Sequence, residues 1–184
     1  MRVGLLLAGG LSRRFGTQDK LLADWTGRPL ISWAASALAA VPLEARIAVA
    51  APELSPLLPG YDMLPPPRPA EQSASLRLGV RRARAMGADR LLIVLADMPR
   101  IDTATMAAVL SARGASCVTD GVRRMPPAAF DADSFEALLA LEGDRGAGHM
   151  LQTITGDGLV KVAPQMLHDI DRPADLTGET SGSE

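Results

Sequence analysis

The stretch LLLAGGLSRRFGTQDK, residues 5–20, runs an apolar segment into two adjacent glycines and then sets out Ser12, Arg13, Arg14 and Lys20. Val3 to Ala8 is an unbroken run without a charged or polar side chain, the pattern of a strand buried on both faces of a parallel sheet. A glycine turn after such a strand lets backbone N–H groups approach an anion closely. In open α/β sheets ligands gather at the carboxyl ends of strands, where this loop is expected. Gly9 and Gly10 are adjacent and Gly16 follows six residues later, so the dinucleotide pattern G-x-G-x-x-G is absent. Thr17, Gln18 and Asp19 separate Gly16 from Lys20, so the Walker pattern is absent too. Arg14 brings a forked donor and Lys20 a point charge. Two readings stand on these residues alone: a phosphate-holding loop, and a solvated basic loop beside a turn.

Outward from this loop, strand and helix patterns alternate. The segment 28–41 has apolar residues at helical spacing, with Pro29 near the expected helix start. Residues 45–51 read as a second strand. Half of the chain's 14 prolines fall between Pro52 and Pro69, which predicts loop around a short strand near Tyr61–Leu64. Ser73–Met86 reads as a helix closed by Gly87. Residues 90–99 form the clearest strand, ending in Asp97 and Pro99. A helix follows, with Asp102 or Thr103 as its cap, then a strand over Ala115–Val118. Beyond GVRRMPPAAF (121–130) the pattern is less regular: helices at Ser134–Leu141 and Ala147–Ile154, a strand at Leu159–Val162 and a polar tail over 177–184. The alternation predicts an α/β fold, a three-layer, mostly parallel twisted sheet with helices on both faces. The expected organisation is a single domain over residues 1–176.

Composition narrows the classes. The net charge of −2 argues against a nucleic-acid partner, since a polyanion rewards a basic surface. One cysteine, Cys117, excludes an internal disulfide; it reads as an inert core thiol in a reducing cytoplasm. No segment reaches the roughly 18 apolar residues of a membrane helix, and the N-terminal run lacks a cleavage pattern. A soluble, cytoplasmic protein without membrane contact is expected.

Asp97 ends an apolar strand across the expected sheet from the glycine loop. Asp102 and Thr103 are better placed to cap the next helix, which leaves Asp97 free to hold Mg²⁺, a cation that takes one or two carboxylates together with phosphate oxygens.

With these residues in view, L-A-G-G-x-S-x-R-[MF]-G followed by Lys, at Leu7–Lys20, resembles the nucleotidyltransferases that activate molybdenum cofactor and sugar phosphates. LADMP (95–99) and DIDRPADL (169–176) resemble two further blocks of that group, in order. QSASLRLGV (72–80) and GDRGAGHML (143–151) are similar to blocks of molybdenum cofactor cytidylyltransferases, whereas Gly9-Gly10 is the form typical of the guanylyl branch. The balance leans to cytidine. Two departures stand out. Met125-Pro126 replaces the Gly-His pair of the cytidylyl pattern, and Gly148 stands where the last Arg of G-D-R-G-A-R belongs.

The resemblance implies an Mg²⁺-dependent, Rossmann-like enzyme that transfers CMP from CTP to a phosphorylated acceptor such as molybdopterin, releasing pyrophosphate. It implies that Leu7, Ala8, Gly9, Gly10, Ser12, Arg14, Lys20, Ser75 and Arg77 contact the nucleotide. Arg14, Lys20 and Asp97 are the implied catalytic set, with Asp97 and Asp171 as metal ligands. Pro127, Asp144, Arg145 and His149 face the acceptor in this reading, and a molybdoenzyme or its chaperone is the implied partner for the product. On its own residues, Asp171 also reads as an N-cap before Pro173; Asp169 is the weaker ligand candidate. The alternatives are GTP-dependent guanylyl transfer, transfer to another phosphorylated small molecule, and a nucleotide-binding regulator without turnover. Intact Arg14, Lys20 and Asp97 speak against the last. A dinucleotide oxidoreductase lacks both the glycine spacing and an acidic residue at the second strand end, where Val49, Ala50 and Ala51 stand.

Overall fold

A computed structural model describes residues 1–9, 19–68, 71–143 and 147–177. Its main sheet has seven strands: β1 (Arg2–Ala8), β4 (Ala45–Ala50), β5 (Asp62–Leu64), β6 (Arg90–Leu95), β7 (Ser116–Thr119), β8 (Arg124–Asp131) and β9 (Leu159–Lys161). Their order is β5-β4-β1-β6-β8-β7-β9. Two short strands, β2 (Asp24–Trp25) and β3 (Arg28–Pro29), form a separate hairpin. β1 pairs in parallel with β4 and β6, and β8 runs antiparallel between β6 and β7. The expected mostly parallel sheet is what the chain forms.

Helices cover both faces. β1 alternates: Leu6 and Ala8 face a cluster with α1 (Ile31–Ala39) and α3 (Thr103–Ser111), while Val3 and Leu5 face α2 (Gln72–Ala85), α4 (Phe135–Leu139) and α5 (Gly148–Gln152). α1 buries Ile31, Ala34, Ala35 and Leu38, the i, i+3, i+4, i+7 stripe of a helix lying on a sheet. α2 seats itself through Gly79, where a built Cβ would collide with the Leu5 side chain, so the bare backbone of glycine permits the close approach. Asp102 caps α3 by accepting from the Thr105 N–H at 2.8 Å, as expected. The C-terminal end of α3 is held by Arg90, whose guanidinium donates to the Leu110 carbonyl at 2.6 Å and the Ala112 carbonyl at 2.5 Å. These oxygens lack partners within the helix, so Arg90 ties α3 to the start of β6.

Two expectations are corrected, and one stretch left unassigned by the sequence gains an element. Pro29 lies in β3 and α1 starts only at Ile31, because the Asp24–Pro29 hairpin takes up the residues before it. The expected helix over Ser134–Leu141 divides into a 3-10 turn at Ala132–Ser134 and the five-residue α4. MPPAAF, which the sequence pattern left unassigned, lies in the strand β8. Val118 pairs with Met125 and Cys117 with Ala128, so Pro126 and Pro127 bulge out of the ladder. Proline lacks the N–H a ladder needs, and a bulge is where a strand can carry it. Cys117 is buried in β7, and burial pushes its thiol up to about 11, with Arg124 acting the other way. No helix among the described residues is long and apolar enough to cross a membrane.

Candidate active site

From β1 the chain moves to β4 and β5 on one side, then returns to place β6 on the other. This reversal is a topological switch point, and the carboxyl ends of β1 and β6 flank the crevice outside it. Leu7 pairs with Leu95 in register, so Gly9 and Asp97 follow their strands at the same level of the sheet.

Lys20 is the centre of that edge. Its ammonium donates to Asp97 Oδ2 at 2.7 Å, to Asp171 Oδ1 at 3.2 Å and to the Ile170 carbonyl at 3.2 Å. Three oxygens from two distant segments thus converge on one positive charge. Burial alone pulls the Lys20 ammonium down, but the Asp97 and Asp171 carboxylates outweigh it and hold the pKa above the ordinary lysine value. Asp169, close by, is pushed up by burial, and the Asp171 and Asp97 carboxylates add to the shift against a backbone hydrogen bond. An all-oxygen set that already gathers round a cation has the hard-ligand chemistry that suits Mg²⁺, so Asp97 and Asp171 can hold one.

The loop carrying Asp171 is docked from several sides. Ile170 is fully buried, and its N–H donates to the Asp97 carbonyl at 3.0 Å. Asp175 accepts from the backbone N–H groups of Asp171 at 2.9 Å and Arg172 at 2.7 Å. Burial opposes the charge on Asp175, but those two N–H groups keep its carboxyl below the usual range. Asp171 lies beside Lys20, and the carboxylate of Asp175 reaches back over the turn at Pro173–Thr177. Sequence reasoning missed Asp175, although an acidic residue a few positions into a helical turn, reaching back to N–H groups before it, is a capping signal.

At the end of β1, a Cβ built on Gly9 would stand 2.9 Å from Ser75 Oγ and 3.3 Å from Pro66, so the backbone there is bare because α2 presses on it. Ser73 and Ser75 at the start of α2 are buried, and both hydroxyls lack a hydrogen-bond partner among the described residues. Buried hydroxyls are nearly always satisfied, so the open Ser75 hydroxyl beside Gly9 fits a polar ligand. Ser75 was expected at the site; Pro66 was not. Arg77 turns away, its guanidinium donating to the Leu141 carbonyl and tying α2 to the end of α4. Pro127 lies in the β8 bulge and His149 is exposed on α5. Gly10, Ser12, Arg14, Asp144 and Arg145 lie outside the described residues.

The chain is 31% identical to the purine catabolism protein PucB of Bacillus subtilis, over 93% of this chain and 92% of that protein. It is 32% identical to the molybdenum cofactor guanylyltransferase of Cereibacter sphaeroides, over 68% of this chain and 65% of that protein. A nucleotidyl transferase from Methanothermobacter thermautotrophicus shares the fold with a TM-score of 0.79 at 23% identity, over 96% of this chain and 94% of that one. Sheet order, switch point and the relatives agree: the chain belongs to the MobA-like NTP transferase domain family, which matches residues 4–159.

Proposed function

We propose that the chain transfers a nucleoside monophosphate from a nucleoside triphosphate to a phosphorylated acceptor, with Mg²⁺ and release of pyrophosphate. The convergence of Asp97, Asp171 and Lys20 at the switch point carries this reading. Phosphoryl-type transfer asks a protein for position and charge neutralisation rather than covalent chemistry. An oxygen of the acceptor's phosphate attacks the α-phosphorus; the new P–O bond forms as the bond to pyrophosphate breaks. That oxygen is already ionised near neutral pH, so no general base is required.

Asp97 and Asp171 hold the metal in this reading. Bound there, Mg²⁺ neutralises phosphate charge and orients the reacting groups. Lys20 has a long, freely rotating stem, so its ammonium serves both the carboxylates and the triphosphate. Arg14 joins it at the α-phosphate and the leaving pyrophosphate. The backbone at Leu7–Gly10, Ser12 and the open hydroxyl of Ser75 take the base and ribose.

Two readings of the base rest on specific observations. The name of the Cereibacter relative and the Gly9-Gly10 form support GTP and a molybdenum-cofactor acceptor. The Ser73-Ala74-Ser75-Leu76-Arg77 block supports CTP with the same class of acceptor. The test is the thermal midpoint with Mg²⁺ and each of CTP, GTP, ATP and UTP. A nucleotide at about a hundred times its Kd stabilises the fold by about 2.7 kcal/mol. A shift confined to GTP or to CTP names the base; no shift with any nucleotide overturns the function.

A further inference from the structure

The hairpin that follows Lys20 carries an arginine with unspent donors. Its two-residue turn, Thr26–Gly27, has both residues at positive φ, 52° and 91°, the primed geometry of a tight hairpin. The turn sets Arg28 of β3 against α1, where its guanidinium carbon lies 3.6 Å from the centre of the Trp33 ring. Trp33 is itself fixed: its indole N–H donates to the Trp25 carbonyl at 2.9 Å, and the two rings meet edge to face with centres 5.1 Å apart. The ring steadies the cation and leaves its donors without acceptors. Arg28 Nε is buried with no hydrogen-bond partner among the described residues, and no described carboxylate pairs with the guanidinium. A buried donor left open costs free energy that an incoming oxygen recovers.

Arg28 and Trp33 line a cavity of about 360 Å³ between β3, α1 and the start of α3, a size that takes a small ligand. Ser36, Arg100, Asp102 and Thr103 supply the rest of its polar wall. Thr103 Oγ1 donates to the Ala37 carbonyl at 3.0 Å, which stitches α3 to α1 along one side. Asp102 is the acidic residue of the wall, and its carboxylate is engaged as the α3 cap. Two guanidiniums against one engaged carboxylate leave the wall positive. Gly9, Lys20, Ser75, Asp97 and Asp171 do not line this cavity, so it is a different space from the candidate active site.

We infer that this cavity binds a phosphate group, free or esterified to a small molecule, bridged between Arg28 and Arg100. A guanidinium presents a planar fork that matches two oxygens of a phosphate. Phosphate has oxygens enough for two forks and the Ser36 hydroxyl, whereas a carboxylate has only two to share. The Trp33 stack holds one fork in place beforehand, which lowers the ordering cost of binding. The bridge also joins two parts of the chain that matter elsewhere. The base of the hairpin is tied to the Lys20 turn by the Leu30 N–H, which donates to the Ala23 carbonyl at 2.9 Å, and Arg100 lies three residues beyond Asp97. An anion held by both arginines therefore links the segment that carries Lys20 to the one that carries Asp97. The site stands on this cavity alone and does not depend on the nucleotidyl-transfer reading.

Both tryptophans of the chain belong to this stack, so intrinsic fluorescence reports on the site directly. The full chain in metal-free buffer is titrated with inorganic phosphate, methyl phosphate, acetate and chloride at matched ionic strength. The expected result is a saturable change with phosphate in the millimolar range, and binding of acetate weaker by about tenfold or more. Arg28→Met and Arg100→Met are each expected to weaken phosphate binding about tenfold or more. Arg100→Met leaves Arg28 and both rings in the chain, so it decides the matter if the melting curve of Arg28→Met shows that this variant does not fold. Lys20→Met is expected to keep the affinity within about twofold, because the two sites share no lining residue. A response to methyl phosphate assigns an ester to the pocket, and a response to inorganic phosphate only assigns the free ion; either supports the site. A phosphate response no stronger than that of chloride or acetate, an affinity unchanged in Arg100→Met, or binding lost in Lys20→Met overturns it.

Discussion

Replacing Lys20 by Met removes the charge that the carboxylate pair gathers round and keeps most of the apolar stem. The Lys20 side chain is 12% exposed and that of Asp97 21%, so their 2.7 Å pair is largely buried, whereas Asp171 is 44% exposed. Breaking a fully buried pair by removing one partner costs about 3–5 kcal/mol, and an exposed pair is worth about 0–1 kcal/mol. With the partial exposure of both aspartates discounted, Lys20→Met is expected to lose about 1–3 kcal/mol. For a chain of this size 1 kcal/mol is about 2–4 °C, so the midpoint falls by about 2–12 °C in metal-free buffer. Melting is followed by circular dichroism with and without millimolar Mg²⁺. In the variant a divalent cation meets the two carboxylates without the Lys20 ammonium between them; in the natural chain it competes with that ammonium. Mg²⁺ is therefore expected to raise the midpoint more in Lys20→Met than in the natural chain, while nucleotidyl transfer stays lower by orders of magnitude. A variant that melts at or above the natural chain without metal refutes the idea that Lys20 neutralises the pair. An equal Mg²⁺ shift in both proteins refutes the idea that lysine and metal share the same oxygens.

Four further outcomes follow from the same geometry. Asp97→Asn keeps size and polarity and is expected to cut Mg²⁺-dependent transfer by about 10²-fold or more, the scale of a lost transition-state charge interaction, while the midpoint falls by a few degrees because the same largely buried Lys20–Asp97 pair is broken; full activity refutes the metal assignment. Asp175→Ala frees the loop at Asp171 and is expected to raise the Mg²⁺ concentration for half-maximal transfer about tenfold, as loss of an outer partner does, with a smaller effect at saturating metal. Asp102→Ala is expected to cost about 1 kcal/mol at neutral pH through the lost α3 cap. The Thr105 N–H lowers the Asp102 pKa in the folded state, so that contribution is present above the ordinary carboxylate value and lost as pH falls through the depressed one; the two proteins' midpoints are expected to converge in strong acid. Arg90→Met strands the carbonyls at the end of α3 and leaves Asp131 unpaired, which is expected to cost about 3 kcal/mol by chemical denaturation; a loss under about 0.5 kcal/mol would show that water replaces the guanidinium.

What the sequence made legible, and what it did not, follows the range of the forces involved. β1, β6, α2 and α3 are local patterns: a buried apolar run, a helical stripe ending at Gly87, a cap at Asp102. Each was readable because the cause lies within one element. β8 was hidden because its signal contradicts itself locally. Two prolines speak against a strand, and only the pairing of Val118 with Met125 and Cys117 with Ala128 leaves room for them in a bulge. The site divides the same way. Asp97, Lys20 and Asp171 were each singled out, but their convergence joins residues 77 and 151 positions apart and required the strand order to be known. Pro66 became visible at the site only when α2 and the proline loop closed on Gly9.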